Sequence, residues 1–412
     1  MDQGLRSQAD SIIKAAISAV LPDAAVKRAL DGQRFPGRVR LVSAGKAAWQ
    51  MAKAAYDFLG ERIEAGVVVT KYDHVMGPIG NFSCFEAGHP VPDENSFKGT
   101  QAALDLVADL SEKDTVLFLL SGGGSALFEK PLVPGEVLQD ITSQLLACGA
   151  DIVEINTIRK RLSAVKGGRF ALACAPAQVF SIVLSDILGD PLDMIASGPA
   201  VPDTSTCAQA MSIAKKYNLN IPESAWELLR QETPKELTNV TTQINGSVKE
   251  LCVAAAAACR ELGYEPIVLT DQLCCQAKEA GSFLASVLKT HAGSGKNLAF
   301  LAGGETVVHL TGKGKGGRNQ ELALAAAVGI DGISGTAVFS VGSDGTDGPT
   351  DAAGGYVDYT VAAELKAQGV EIFDVLQQND AFYALQAVGG LIYTGPTGTN
   401  VNDVAVALLK EN

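Results

Sequence analysis

The sequence predicts an α/β fold of two domains, each built on a largely parallel, Rossmann-like sheet, and three observations predict it. Short apolar, β-branched runs recur, each followed by a glycine-rich or polar loop and then a helical pattern. A strand covered on both faces by crossover helices reads as such a run, so the rhythm points to parallel strands. The rhythm breaks at the polar passage QETPKELTNVTTQINGS (231–247) and then restarts; passages of that composition join domains. The length of 412 residues, with 47% hydrophobic content, also exceeds one ordinary core. The expected domains are residues 1–240 and 241–412.

The net charge of -13 argues against nucleic acid as a partner, because a phosphate backbone needs a basic face. An anionic ligand must then be held by a local cationic pocket. No run approaches the eighteen or so apolar residues that a membrane span needs, so no membrane role is expected. The N-terminal thirty residues alternate acids, bases and apolar positions without the h-region of a secretory signal. Eight cysteines without a C-x-x-C pair, and only four histidines, suit neither zinc nor a disulfide framework. They point to reduced, buried thiols and a cytoplasmic location. A homo-oligomer is compatible with all of this.

Taken in order, the first set of apolar runs is VRLVS (39–43), AGVVVT (65–70), TVLFLLS (115–121) and VFSIVLS (179–185). Ligands of open parallel sheets bind at the carboxyl ends of strands, so the loops that follow are the places to look. After VRLVS, Lys46 stands at a strand-to-helix corner, where an ammonium would reinforce the positive end of the next helix. After TVLFLL comes Ser121, Gly122, Gly123, Gly124 and Ser125; three consecutive glycines let the backbone approach a carboxylate or phosphate. In EINTIRKRLSAVKGGRF, Ile155, Ile158, Leu162 and Val165 form one helical face and leave Arg159, Lys160, Arg161 and Lys166 on others. Arg159 and Lys166 are candidate anion contacts, whereas Lys160 and Arg161 read as a solvated face. After VFSIVLS, Asp186 can orient a substrate hydroxyl, accept its proton or hold Mg2+.

The second set is PIVLT (266–270), NLAFLA (297–302), TVVHL (306–310) and TAVFSV (336–341). Between TVVHL and the helical ELALAAAVG lies GKGKGGRNQE, with Gly312, Gly314 and Gly317 in the G-x-G-x-x-G spacing of a dinucleotide loop. Lys313, Lys315 and Arg318 add three cations that a dinucleotide does not require, and a phosphate clamp accounts for them. The nucleotide-binding candidates are therefore Gly312, Lys313, Gly314, Lys315, Gly316, Gly317, Asn319 and Glu321. Further on, SVGSDGTDGPTDAAGG sets Asp344, Asp347 and Asp351 among glycines without the closing glutamate of an EF-hand. Contacts to Mg2+ with a nucleotide suit it better, and turn capping is the ordinary alternative for at least one of the three.

The motifs SGGGSAL, INTIRK with KGGR, SDILGDP with IASGP, GKGKGGRNQEL, GSDGTDGPTDAAG and TGPTGTNVND, in this order, resemble those of the class II glycerate 2-kinases of the MOFRL family. The resemblance covers nearly the whole chain. It implies transfer of the γ-phosphoryl group of ATP to the C2 hydroxyl of D-glycerate, with Mg2+ or a similar divalent ion, and two α/β domains with an interdomain active-site cleft. It also implies that Lys46 and Arg318 serve catalysis. Arg161 stands where relatives often have histidine, and Lys315 where arginine is common; both changes keep or add positive charge.

On this basis SGGGS would anchor the glycerate carboxylate or a phosphate, Lys46 and Arg318 would flank the transferring group, and Asp186 would orient the hydroxyl or the metal. Asp186, Asp344 and Asp347 are the candidate metal contacts. The alternative is an NAD(P)H-dependent hydroxypyruvate reductase using G-x-G-x-x-G. That reading lacks an acid at the expected distance beyond the glycines and a His-carboxylate pair to protonate a carbonyl. A non-enzymatic sensor ranks last, because no DNA-binding segment is visible.

Overall fold

The computed structural model describes residues 1–411. The chain forms two compact units, one of Ala25–Asn245 and one of Met1–Ala24 with Gly246–Asn412. The second includes the N-terminal helix, Gln3–Ala19. The reason is a set of contacts across the length of the chain. Asp2 caps the helix through Gly4 N–H and Leu5 N–H, while its own N–H donates to Asp358 Oδ2 at 2.5 Å. Arg6 donates to the carbonyls of Gly389 and Leu391 and lies 5.2 Å from the Tyr356 ring centroid.

The strands of the Ala25–Asn245 unit are β1 Val39–Ala44, β2 Ile63–Lys71, β3 Phe82–Ala87, β4 Thr115–Leu120, β5 Gln178–Leu184 and β6 Val240–Gly246. Their order is β3-β2-β1-β4-β5-β6, and the pairs from β3 through β5 are parallel. This is the doubly wound order, in which the chain reverses its winding direction between β1 and β4. All six residues of β4 are buried, as its continuous apolar run requires. Beneath the loop that follows, Phe118, Phe128 and Phe170 pack with centroids 4.7 to 5.5 Å apart. Each buried ring contributes about 1.5–3 kcal/mol. Because Phe128 directly follows the short helix Gly124–Leu127, this cluster anchors the glycine loop to the core.

The other unit contains β7 Glu265–Leu273, β8 Leu298–Gly304, β9 Thr336–Gly342, β10 Gly354–Asp358, β11 Leu391–Ile392 and β12 Asp403–Leu409, in the order β11-β10-β9-β12-β8-β7. Here the α/β class holds but the strand directions are mixed. β7 and β8 are parallel, while β12 runs antiparallel between β8 and β9, and β10 is antiparallel to β9. The stretch 306–310 is not a strand. It touches the 275–277 segment through one bridge at Val307, and Val307 and Leu310 are 55% and 79% exposed. The helix Arg318–Ile330 is buried on nearly every side, between the helix Ala277–His291 and the strands β9 and β10. Among the described residues no helix is long and apolar enough to cross a membrane.

Candidate active site

In the doubly wound unit, the loops after β1 and β4 are tied into one surface. Lys46 N–H donates to the Gly122 carbonyl at 2.8 Å, and Ala47 N–H donates to Ser121 Oγ at 3.1 Å. Ser121, expected as a ligand contact, is therefore a buried tie between the two loops. Gly123 has φ of 82°, in the left-handed region that favours glycine. A Cβ there would also lie 3.0 to 3.1 Å from the His89 ring and from Lys46 Cγ, so these side chains flank the loop. A Cβ on Gly122 would lie 2.2 Å from Asp186 Oδ2, so the Asp186 carboxylate packs against this glycine. Together Gly122, Gly123, Ser125, Arg159, Asp186 and His89 line a cleft of about 310 Å³.

Three residues in succession, Ala196, Ser197 and Gly198, hold positive φ of 50° to 64° beside this loop. Left-handed non-glycine residues are costly and persist where packing imposes them. Ser197 Oγ donates to Asn156 Oδ1 at 2.9 Å and lies 3.4 Å from Ser125 Oγ, which fixes the far wall of the cleft. His89 lies on the segment after β3. Burial first, then the charges of Lys46 and Lys71, push its pKa below the ordinary value, so its ring is neutral at pH 7.

The basic segment after residue 155 corrects two expectations. Lys166 is fully buried, so it is not a ligand contact. Its ammonium donates to the carbonyls of Ser125 and Phe128 at 2.9 and 3.1 Å and lies 3.3 Å from Glu129 Oε2. Burial, partly offset by Glu129, pushes Lys166 down to about 8. Lys160 and Arg161 are not a solvated face either. Both are buried around Asp203, at 3.2 and 3.7 Å, and Arg161 also donates to the Ser205 carbonyl. Arg159 alone of the four reaches the cleft, while donating to the Ser125 carbonyl at 3.1 Å.

The other unit carries a cleft of about 660 Å³, whose lining includes residues 305–308, Leu310, Gly312, Gly314, Gly316, Gly317, Arg318, Glu321, Asp344 and Asp347. The G-x-G-x-x-G loop is not an open phosphate cradle. Thr311 N–H and Gly312 N–H donate to Asn379 Oδ1, Gly314 N–H to the Gln378 carbonyl, and Lys315 N–H to Asp380 Oδ1. A Cβ on Gly312 would lie 2.3 Å from Gln378 Cα, and one on Gly317 would lie 2.2 Å from Asp347 Cγ. The glycines thus serve close packing on the 378–380 segment and on Asp347. The cation clamp shrinks likewise. Lys313 is exposed and Lys315 sits 4.1 Å from the Phe382 ring centroid, so of the three only Arg318 lines the cleft.

Arg318 opens its helix and is held at both edges. Nε and Nη2 donate to Asp403 at 2.6 and 3.1 Å, and Nη1 donates to Glu305 at 2.8 Å. Burial works against its charge, but the Asp403 hydrogen bond and the surrounding carboxylates outweigh that and raise its pKa. Asp347, expected as a metal contact, accepts from Asn319 N–H and Gln320 N–H at 3.2 and 2.9 Å and so caps this helix. Burial pushes it up to about 7 against the pull of those donors. Asn319 is equally structural, bonded to Asp347 and Ser340 rather than exposed to a nucleotide. Glu321 is buried and accepts from Asn379, the residue that holds the glycine loop. Asp344 spends Oδ1 on Thr346 and keeps Oδ2 unpaired among the described residues. No cluster of three His, Cys, Asp or Glu able to hold a metal occurs among the described residues. A Mg2+ carried by nucleotide phosphates needs only one or two carboxylates, so Asp344 fits that demand.

Two clefts, one at the switch point of a doubly wound sheet and one around a clamped arginine, define a small-molecule-binding α/β protein. Two family models match: a domain of unknown function, DUF4147, over residues 8–230, and the MOFRL family over residues 298–403. A protein of Thermotoga maritima named D-glycerate 2-kinase is 53% identical over 413 residues, covering 99% of both chains. A glycerate 2-kinase of Pyrococcus horikoshii is 40% identical over 92% of this chain and 90% of its own. A protein of Agrobacterium vitis that bears the name hydroxypyruvate reductase is 38% identical over 99% of this chain and 95% of its own. The solved structure of a glycerate kinase from Thermotoga maritima matches with TM-score 0.95 at 52% identity, over 99% of this chain and all of that one. The chain belongs to the glycerate 2-kinase family.

Proposed function

We propose that this protein is a D-glycerate 2-kinase, transferring the γ-phosphoryl group of ATP to the C2 hydroxyl to give 2-phosphoglycerate and ADP. The observation that carries the reading is the near full-length, 53% identical relative of that name. The sizes of the clefts support it. The cleft of about 310 Å³ suits a three-carbon acid, and the one of about 660 Å³ suits a nucleotide.

The glycerate carboxylate binds at Arg159 and the Gly122–Gly123–Ser125 backbone, which leaves its hydroxyls toward Asp186 and His89. The C2 oxygen bonds to the γ-phosphorus as the bond to the β–γ bridging oxygen breaks, and Asp186 receives the hydroxyl proton. Arg318 holds phosphate charge in the nucleotide cleft of its own unit, and Lys46 adds positive charge beside the glycine loop of the other; offsetting charge on the transferring group is the largest task a kinase performs. Asp344 would hold a Mg2+ carried by the nucleotide, an ion that would supply neutralisation of phosphate charge. The eight cysteines, all free thiols, support a cytoplasmic location.

The reductase reading loses its main support. The N-terminus of the helix Arg318–Ile330, where a dinucleotide pyrophosphate would sit, is already occupied by the Asp347 carboxylate. Two assays separate the readings: ADP release from Mg-ATP with D-glycerate, and NAD(P)H oxidation with hydroxypyruvate. The proposal expects the first and not the second. NAD(P)H oxidation without ADP release would overturn it.

A further inference from the structure

We infer that residues 307–310 form the base-binding lip of the larger cleft, on which the purine of the nucleotide stacks. The inference rests on the proposed kinase function and adds the part of the nucleotide site that no motif identifies. Val307, Val308 and Leu310 line the same cleft as Gly316, Gly317 and Arg318. Val307 and Leu310 are 55% and 79% exposed, which leaves a small apolar patch in the lining of this cleft. The stretch has the composition of a strand but is left out of the sheet. Its exposure is therefore a feature of the folded unit and not a consequence of a frayed end.

The main chain supplies the second argument. Val307 uses both peptide groups on the 275–277 segment, as donor to the Cys275 carbonyl and acceptor from Ala277 N–H. The His309 carbonyl accepts from Asn379. Between them, the N–H and C=O of Val308 have no partner among the described residues. A donor and an acceptor on one residue match the N1 acceptor and N6 amino donor along the edge of adenine. The flat apolar faces of the base would cover Val307 and Leu310. The same cleft then takes an adenine at its apolar lip and phosphates at its only lining cation, Arg318. This division of labour, apolar surface with a few placed polar groups, is the usual composition of a cofactor site.

The test compares ligands with and without the base. Binding of Mg-ADP and of Mg-pyrophosphate is measured by titration calorimetry for the wild type, for Val307→Ser/Leu310→Ser and for Val308→Pro. Because both serines replace exposed side chains, the double variant should fold. Loss of apolar cover should weaken Mg-ADP about tenfold and leave Mg-pyrophosphate unchanged. Val308→Pro removes the N–H donor and should weaken Mg-ADP in the same selective way. In turnover, KM for ATP should rise while KM for glycerate stays. If Mg-ADP binding is unchanged in both variants, or if both ligands weaken together, the lip is refuted while the kinase function stands. If the wild type neither binds Mg-ADP nor releases ADP from ATP, both inferences fail.

Discussion

Replacing Lys166 by methionine separates a structural lysine from a ligand-binding one. The ammonium is buried beneath the glycine loop with Glu129, which is itself fully buried and has no other charge nearer than Arg159 at 3.7 Å. Methionine fills a similar volume but strands that carboxylate and frees the carbonyls of Ser125 and Phe128. Removing one member of a buried pair costs about 3–5 kcal/mol, because the remaining charge has lost its compensation. In a unit of roughly 200 residues, each kcal/mol shifts Tm by about 2–4 °C, so a drop on the order of 10 °C is expected. Calorimetric melting reads this directly. The double variant Lys166→Met/Glu129→Leu should recover at least half of the loss. An unchanged Tm with a raised KM for glycerate would show that Lys166 meets substrate and would refute the structural reasoning.

Other consequences follow from the same geometry. Lys46→Ala should reduce kcat about 10³-fold with little change in Tm, since the side chain is half-exposed and its proposed task is to support charge on the transferring group; near-normal turnover would remove it from the mechanism. Asp403→Asn should reduce kcat/KM about 10- to 100-fold, and Arg318→Lys should be similarly impaired because an ammonium cannot replace a two-pronged contact; steady-state kinetics with both substrates checks this. His89 has a pKa below its ordinary 6.5, so it is neutral above that pH and gains charge only as pH falls through the lower value. The acid limb of the kcat/KM profile should therefore have a component below pH 6.5, absent in His89→Asn; an identical limb in the variant would exclude His89 from the cleft chemistry.

What could be read from the sequence depended on whether the signal was local. The runs at 115–120 and 179–184 were legible because a parallel strand covered on both faces must be apolar throughout, and both are almost entirely buried. The run at 306–310 has the same composition, but pairing is decided by a partner backbone, and only Gln276 offers one. β10, GGYVD, went unread because a glycine-rich stretch carries little β signal, and β12, DVAVALL, because a short continuous apolar run also suits a buried helix. The glycine loop after β4 stood out in the sequence because no simple turn needs three glycines, and Gly122, Gly123 and Ser125 do line a cleft. The G-x-G-x-x-G loop was misread because its glycines answer to residues 378–380, some sixty positions away in the chain. Lys166 and Lys160 went the same way: charge is visible in sequence, but the carboxylates that bury it, Glu129 and Asp203, lie 37 and 43 residues distant.

The central claim is tested most directly by the identity of the product. Incubation with Mg-ATP and D-glycerate, followed by phosphorus NMR of the phosphoglycerate formed, should show 2-phosphoglycerate and an equal amount of ADP. Formation of 3-phosphoglycerate alone, or of no phosphorylated product, would contradict the account.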